Sequence, residues 1–267
     1  QQAILQVQEV MHEMMQTFTG KGSLTVNDVQ KLITLIKANV NGMDKTNTVP
    51  EHVIHYGRKG AISAKTEGQN RYVEMLNNND VVFSIGPAGT GKTFLSVAFA
   101  VAALESHRVD RIILCRPAVE AGESLGFLPG DLKDKVDPYL APLYDSLHIL
   151  YAENQLAQLL ERKVIEVVPL AYMRGRTLDS AYMILDEAQN ATALQMKMFL
   201  TRLGIGSKAI ITGDVTQIDL QNRSDSGLLQ ASELLNNVQG IGIVTLGKKD
   251  VVRHPLVMKI IEAYDQN

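Results

Sequence analysis

The sequence predicts an α/β fold in which helices flank a mostly parallel β-sheet. From residue 81 onward, short runs rich in β-branched residues alternate with segments of helical periodicity, which is typical of βαβ units. With 267 residues, 45% of them hydrophobic and 21% charged, the chain can bury one substantial core but hardly two. We therefore expect one main domain over residues 51–267 and a short helical segment over residues 1–50.

The N-terminal segment shows two helical patterns, Ile4–Phe18 and Val26–Ala38. They are too short to form a core of their own, so they either dock on the main domain or belong to a larger N-terminal one. The next residues, 39–64, contain several glycines and a proline, and this composition is typical of a linker.

Six strands and five helices are predicted in the main domain. The strands are Val81–Ile85, Arg111–Cys115, Val164–Val168, Tyr182–Asp186, Lys208–Thr212 and Gly242–Leu246. The helices are Lys92–Leu104, Asn154–Arg162, Ala193–Leu203, Gly227–Leu235 and Leu256–Tyr264. Because parallel strands end at the same edge of their sheet, we expect functional residues in the loops that follow them.

A phosphate-binding loop directly follows the first of these strands. Its pattern, G-x-x-x-x-G-K-T, presents backbone N–H groups to phosphate oxygens and leads into a helix N-terminus. We assign nucleotide binding to all eight residues: Gly86, Pro87, Ala88, Gly89, Thr90, Gly91, Lys92 and Thr93. Lys92 is expected to contact the β- and γ-phosphates, and the Thr93 hydroxyl is expected to bind Mg²⁺. A glycine-rich turn that matches by chance is the alternative, but the flanking strand and helix disfavour it.

Two acidic residues, Asp186 and Glu187, end the apolar strand that begins at Tyr182. This is the Walker B arrangement, in which the first acid holds the Mg²⁺ shell and the second orients the attacking water. Both residues would lie at the same sheet edge as the phosphate loop. The alternative is that the two acids cap the helix that follows them.

Three further residues are candidates for contacts with the nucleotide. Asp214 and Gln217 follow the strand Lys208–Thr212 and should lie on the same rim, where Gln217 would contact the γ-phosphate. Gln69, upstream of the phosphate loop, has the two-sided amide that can bind the N6 and N7 edge of adenine. For Gln217 an ordinary turn residue is the alternative, and for Gln69 a free surface residue.

In many enzymes that hydrolyse nucleoside triphosphates, an arginine stabilises the transition state. Arg253 is the first candidate for this role because it lies in a loop between a predicted strand and a predicted helix. The other candidates for this role are Arg116, Arg174 and Arg176, which also follow strand ends and which, should the protein bind RNA, are the candidates for a phosphate-binding patch. The net charge of −3 gives no overall basic field, so a nucleic acid would have to be held by such a local patch. Surface salt bridges are the alternative for each arginine.

Composition also restricts the location of the protein. Cys115 is the only cysteine, so no disulfide can form within the chain, and a reducing cytoplasm fits best. No apolar run has the length of about 20 residues that spans a membrane. The start, Gln1-Gln2-Ala3, is not an initiator methionine, so we expect a fragment or a trimmed chain.

Seven short sequence strings, which follow one another along the chain, are more specific than the motifs of a general ATPase. They occupy residues 86–93, 116–123, 125–130, 172–178, 186–190, 195–203 and 213–219. With these strings, residues 60–265 resemble the PhoH-like branch of the phosphate-starvation-inducible PhoH ATPases. The resemblance implies a RecA-like P-loop NTPase core related to superfamily-one helicases, with ATPase activity, RNA-linked roles and ring assemblies. It also implies that residues 1–50 are the tail of a KH-like region, and that a ribosome-maturation endoribonuclease is a partner.

The leading functional hypothesis is a Mg²⁺-dependent ATPase that binds, remodels or unwinds single-stranded or structured ribosomal RNA. Because the chain has one phosphate loop and enough residues for one core, movement along RNA would require identical neighbours, in a ring of about six subunits. The alternative is a nucleotide-gated interaction module that regulates the partner endoribonuclease without translocation. A phosphate-metabolism kinase is less favoured, since no acceptor-binding domain is evident.

Overall fold

The computed structural model describes residues 53–57, 60–117 and 132–253, with isolated positions at 11, 14, 15, 18, 29, 256, 257 and 260. The strands are β1 (Val53–Gly57), β2 (Gly60–Ser63), β3 (Val81–Ile85), β4 (Arg111–Arg116), β5 (Ile165–Pro169), β6 (Ala181–Leu185), β7 (Lys208–Gly213) and β8 (Ile241–Thr245). The α-helices are α1 (Glu67–Asn78), α2 (Lys92–Glu105), α3 (Leu132–Leu150), α4 (Glu153–Glu161), α5 (Ala193–Leu200) and α6 (Gly227–Leu234).

Six of the strands form one parallel sheet in the order β5-β4-β6-β7-β3-β8. Helices pack on both faces of this sheet, and the predicted α/β fold class is confirmed. The strand that precedes the phosphate loop, β3, is separated from the strand that carries the two acids, β6, by β7. Residues at the end of β7 therefore lie between the loop and the acids.

The hydrophobic core consists of one cluster of buried side chains on each face of the sheet. Val82 and Ile184 belong to the first cluster, whereas Phe83 and Met183 belong to the second. All five residues of β6 are buried, as expected for a parallel strand covered on both sides. The core therefore fixes the positions of the strand ends that carry the candidate site.

All six predicted strands of the main sheet are confirmed, and no boundary differs by more than one residue. Four predicted helices correspond to α2, α4, α5 and α6, although α5 ends at Leu200 instead of Leu203. The patterns at 4–18, 26–38 and 256–264 lie outside the described residues, apart from isolated positions.

The prediction of a linker over residues 39–64 is wrong for its last part. Residues 53–57 and 60–63 form the antiparallel pair β1–β2, in which Gly57 pairs with Gly60. Glycines that indicated a flexible segment therefore lie where the chain reverses direction.

Two long helices, α1 and α3, were not predicted. The buried face of α1 includes the polar residues Gln69 and Asn70, which weaken its apolar periodicity. Helix α3 contains Pro138 and Pro142, which usually indicate a break in a helix. Buried polar residues in α1 and prolines in α3 therefore hide the helical pattern in the sequence.

Candidate nucleotide-binding site

The phosphate loop joins β3 to the first turn of α2. Gly89 and Gly91 have φ values of 84° and 80°, in the left-handed region that favours glycine. Gly91 is also the N-cap of α2, so the positive end of the helix dipole faces the loop. The backbone geometry is thus suited to hold an anion above the start of α2.

Lys92 is largely buried and bonds to its own loop. Its Nζ donates to the carbonyl oxygens of Gly86 at 2.6 Å and Pro87 at 2.9 Å. Burial lowers the pKa of Lys92, and the negative charges of Asp214, Glu187 and Asp186 oppose this effect. The ammonium group is therefore held at the centre of the loop, where a phosphate would meet it.

Asp186 lies between the start of α2 and the end of β7. Its Oδ1 accepts a hydrogen bond from Thr93 Oγ1 at 2.6 Å and another from Thr212 Oγ1 at 2.6 Å. Only 4% of Asp186 is exposed. The structure thus brings together the two residues predicted to bind Mg²⁺, and a hydroxyl and a carboxylate are oxygen ligands of the kind that Mg²⁺ prefers.

Both carboxylate oxygens of Glu187 have a partner. Arg116, at the end of β4, lies 3.0 Å from Oε1, and Gln189 Nε2 donates to Oε2 at 2.6 Å. The backbone of Glu187 has a φ of 51°, an uncommon value for a residue with a side chain. Its placement beside the loop agrees with the predicted catalytic position, and its backbone is held in a strained conformation of the kind found at active sites.

Gln189 is a residue of the site that the sequence interpretation missed. It is 1% exposed, and besides Glu187 its Nε2 donates to the carbonyl of Gln217 at 3.1 Å. Its Oε1 accepts from the backbone N–H of Asp214 at 3.0 Å. One buried amide therefore connects three predicted site residues. The signal was present in the string Asp-Glu-Ala-Gln, where the glutamine follows the two acids at fixed spacing.

Asp214 and Gln217 lie on the predicted rim. Asp214 Oδ1 accepts from the backbone and the hydroxyl of Thr216, at 2.9 Å and 2.6 Å. The backbone N–H of Gln217 donates to the carbonyl of Asp214 at 3.0 Å, which closes a turn after β7. Both side chains line the same cavity as Lys92 and Glu187.

Gln69 is buried beside the phosphate loop. Its Nε2 donates to the carbonyl of Thr90 at 2.9 Å, and its Oε1 accepts from the backbone N–H of Lys65 at 2.7 Å. It is not the free surface residue of the alternative interpretation. Each end of its amide already has one backbone partner, so Gln69 supports the loop in addition to any contact with a base.

Arg253 lies on the phosphate loop of its own chain. A Cβ atom added at Gly89 would collide with the Arg253 side chain, and the backbone N–H of Val252 donates to the carbonyl of Gly89 at 2.9 Å. The candidate arginine thus lies beside the loop that would hold the phosphates.

The other three candidate arginines differ in their partners and in their exposure. Arg176 makes a bidentate pair with Glu166, at 2.6 Å and 3.2 Å, and Arg116 donates to the carbonyl of Tyr139 at 2.8 Å as well as contacting Glu187. Arg174 is exposed. Of the three predicted RNA contacts, Arg174 is therefore the exposed one, and it forms no ion pair with another of the described residues.

Two cavities meet along the phosphate loop and share Gly89, Gly91 and Phe94. The phosphate-side cavity has a volume of 310 Å³ and includes Lys92, Asp186 and Glu187 in its lining. The base-side cavity has a volume of 320 Å³, and its lining comes from the β1–β2 pair, Gln69, Leu95, Ile149 and Val252. A mixed apolar and polar cleft of this kind suits a nucleotide, with its base on one side and its phosphates on the other.

The parallel sheet, the phosphate loop and the paired acids define a RecA-like P-loop NTPase. The comparison with known families then places the chain within this class. A family model described as "PhoH-like protein" matches residues 61–265, and the chain belongs to the PhoH family.

Relatives in several bacteria are similar over most of this chain. A PhoH-like protein of Bacillus subtilis is 60% identical over 230 residues, which cover 86% of this chain and 72% of that protein. A PhoH-like protein of Synechocystis is 57% identical, with 79% and 64% covered. Protein PhoH of Escherichia coli K12 is 45% identical, with 76% and 58% covered. The chain thus spans about two thirds of the length of these relatives.

Solved structures resemble the chain more loosely. The Pif1 helicase of Candida albicans is 13% identical, covers 75% of this chain and 43% of its own, and has a TM-score of 0.37. A SWI2/SNF2 ATPase core of Sulfolobus solfataricus is 13% identical, covers 76% and 47%, and has a TM-score of 0.40. At this level of similarity neither protein informs on the activity of this chain.

Among the described residues, no helix has the length and hydropathy needed to cross a membrane.

Proposed function

We propose that this protein hydrolyses ATP with Mg²⁺ in the cytoplasm and couples hydrolysis to the binding, remodelling or unwinding of RNA during RNA or ribosome processing. The observation that carries the enzymatic part is the meeting of Lys92, Thr93, Asp186 and Glu187 around one cavity. These residues come from two separate motifs, and their convergence is what phosphoryl transfer to water requires.

Phosphate binding is assigned to the loop and Lys92. When the nucleotide enters, Lys92 exchanges its carbonyl partners, Gly86 and Pro87, for phosphate oxygens, which accept hydrogen bonds more strongly because they are charged. Thr93 and Asp186 would hold Mg²⁺. The cation, when bound, neutralises charge on the β- and γ-phosphates.

Glu187 is assigned to orient the attacking water and accept its proton. Arg116 and Gln189 each contact one of its oxygens, and the carboxylate keeps further lone pairs that can accept a hydrogen bond from water. Arg116 also donates to the Tyr139 carbonyl and lines the same cavity. We assign its charge to the transferred phosphoryl group, where cations stabilise the transition state.

RNA binding is assigned to the carboxyl edge of the sheet, where Arg174 is exposed. The described residues contain one parallel sheet with one phosphate loop, which offers one surface to a strand of RNA. A closed ring of about six identical subunits would supply the second surface. Single-stranded or structured ribosomal RNA is the proposed partner.

Turnover measured with and without RNA tests the proposal. We expect Mg²⁺-dependent release of phosphate from ATP, a faster rate with single-stranded RNA, and a solution mass of several subunits. Lys92→Ala, prepared in parallel, controls for contaminating ATPases. ATP hydrolysis that RNA leaves unchanged would instead favour the nucleotide-gated module, whose readout is a nucleotide-dependent change in affinity for a ribosome-maturation endoribonuclease. Absence of hydrolysis under all conditions contradicts the ATPase, and an endoribonuclease affinity that nucleotide leaves unchanged contradicts the module.

A further inference from the structure

We propose that Asp250, which lies outside both phosphate-binding motifs, is a positioning residue that sets the affinity of the site for the base-bearing part of the nucleotide. This inference rests on the proposed binding of ATP in the cleft. It concerns a short turn after β8, Lys248–Asp250, and the way in which this turn is joined to α1.

The carboxylate of Asp250 joins two segments that are far apart in sequence. Its Oδ1 accepts from Thr66 Oγ1 at 2.5 Å and from the backbone N–H of Gly68 at 3.0 Å, both at the start of α1. Its Oδ2 accepts from the backbone N–H of Gly247 at 2.9 Å. Asp250 is 5% exposed, so these bonds are shielded from water.

The contact with α1 is close enough to require glycine at position 68. A Cβ atom added there would collide with both carboxylate oxygens of Asp250. Burial alone would raise the pKa of Asp250, but the hydrogen bonds from Thr66, Gly247 and Gly68, with the charge of Arg71, lower it overall. The residue is therefore held as a carboxylate, which can accept all three hydrogen bonds.

Each of the two joined segments also holds the phosphate loop. From α1, Gln69 donates to the carbonyl of Thr90 at 2.9 Å. From the chain after the turn, the backbone N–H of Val252 donates to the carbonyl of Gly89 at 2.9 Å. Asp250 thus connects the supports of two neighbouring loop residues, and its own side chain bonds to neither of them.

The two supports also line the base-side cavity, since Lys65 and Gln69 form one wall and Val252 forms another. In contrast, the side chains of the phosphate-side cavity bond to partners that Asp250 does not touch: Thr93 to Asp186, and Glu187 to Arg116 and Gln189. These side chains hold the phosphates independently of the supports at Gly89 and Thr90, so loss of the Asp250 bonds should disturb the walls around the base more than the phosphate grip.

The experiment compares two ligands that share phosphates and differ in the base. Dissociation constants for ATP and for inorganic tripolyphosphate are measured by calorimetry with Mg²⁺ on the full chain. Asp250→Asn keeps the shape but turns one acceptor into a donor, which must then face Gly68, Thr66 or Gly247. Gly68→Ala disturbs the same contact from the opposite side and leaves the Asp250 side chain intact. Glu67→Gln, in the first turn of the same helix, is the charge-matched control.

We expect ATP binding to weaken about tenfold in Asp250→Asn and Gly68→Ala, the effect of losing one hydrogen bond to a charged group, and tripolyphosphate binding to change less than about twofold. Glu67→Gln should behave as wild type. Equal weakening of both ligands would show general loosening of the site, and unchanged ATP binding in both folded variants would show no positioning role. Either result overturns the inference. A wild-type protein that binds neither ligand would instead contradict the proposed function itself.

Discussion

On the phosphate side of the cleft, the two acidic side chains bond to other side chains near the strand ends, whereas on the base side Gln69 and Asp250 join backbone segments from different parts of the chain. Asp186 joins Thr93 and Thr212, and Glu187 joins Arg116 and Gln189, all near adjacent strand ends. The side chains that act on the phosphates are therefore positioned by the sheet, whereas the fit to the base depends on hydrogen bonds between separate segments of the chain.

Lys92→Ala should give the largest effect, since it removes the cation at the centre of the phosphate side. Hydrolysis should fall by about three orders of magnitude or more, and ATP binding should weaken, because no other group replaces this ammonium. Phosphate release and calorimetry measure the two effects. A variant with near-normal turnover would show that the loop binds nucleotide without Lys92.

Glu187→Gln should separate chemistry from binding on the same side. The substitution leaves the metal-binding Asp186 unchanged, but the new amide cannot accept a proton from water. Turnover should therefore fall by about two orders of magnitude, while ATP still binds. Single-turnover hydrolysis at saturating ATP provides the measurement. Normal turnover would remove Glu187 from the water-orienting role.

Gln189→Leu should lower kcat by about tenfold, with a smaller change in KM, because it leaves Glu187 and the Asp214 N–H without their shared partner. Gln230→Leu, at an exposed glutamine of α6, is the matched control and should leave the kinetics unchanged. If the two variants behave alike, the buried amide does not position the catalytic carboxylate.

The base side should lose stability in mild acid through His55, which lies on β1. Burial lowers the pKa of His55 from its ordinary 6.5 to about 4, so the unfolded chain takes up a proton first as pH falls. Between pH 7.5 and 5.5 the free energy of unfolding should drop by about 1 kcal/mol more in wild type than in His55→Phe. Urea unfolding measures this difference. Equal drops would mean that Glu105, 3.7 Å from the ring, compensates the charged form.

The smallest effect is expected at the rim, where Arg174 and Arg176 differ. Arg174→Ala should weaken RNA binding a few-fold and reduce its salt dependence by about 0.7 units of slope, as for one phosphate contact on a single strand. Arg176→Ala should instead lower the melting temperature, because it leaves Glu166 without its partner. The opposite assignment of effects would return Arg176 to the RNA surface.

The phosphate side was predictable from sequence because its motifs are local. The run Val81–Thr93 contains a strand, the loop and the start of a helix in order. Asp186 and Glu187 directly follow a continuous apolar run, which is typical of a strand buried on both faces. Neither motif indicates the third partner, Gln189, since its role depends on the approach of the turn after β7.

Apart from Gln69, the base side was not predictable, because its contacts join residues far apart in sequence. Thr66 and Asp250 are separated by 184 positions, and nothing near either residue indicates the other. The same applies to Arg253, whose side chain lies against Gly89, more than 160 positions earlier in the chain. The local sequence pattern was also misleading for β1–β2, because glycines that indicate a linker are equally suited to a tight reversal of the chain.

The position of β3 within the sheet also has a consequence for the order in which the protein forms during synthesis. Val81 of β3 pairs with Ala209 on one side and with Ile241 on the other, whereas β4, β5 and β6 pair among themselves. A nascent chain can therefore assemble β4–β6 while the strand that leads into the phosphate loop still has no neighbour. Nucleotide can assist folding only after β7 has left the ribosome, so it should protect the complete domain from proteolysis but not a chain that ends before β7.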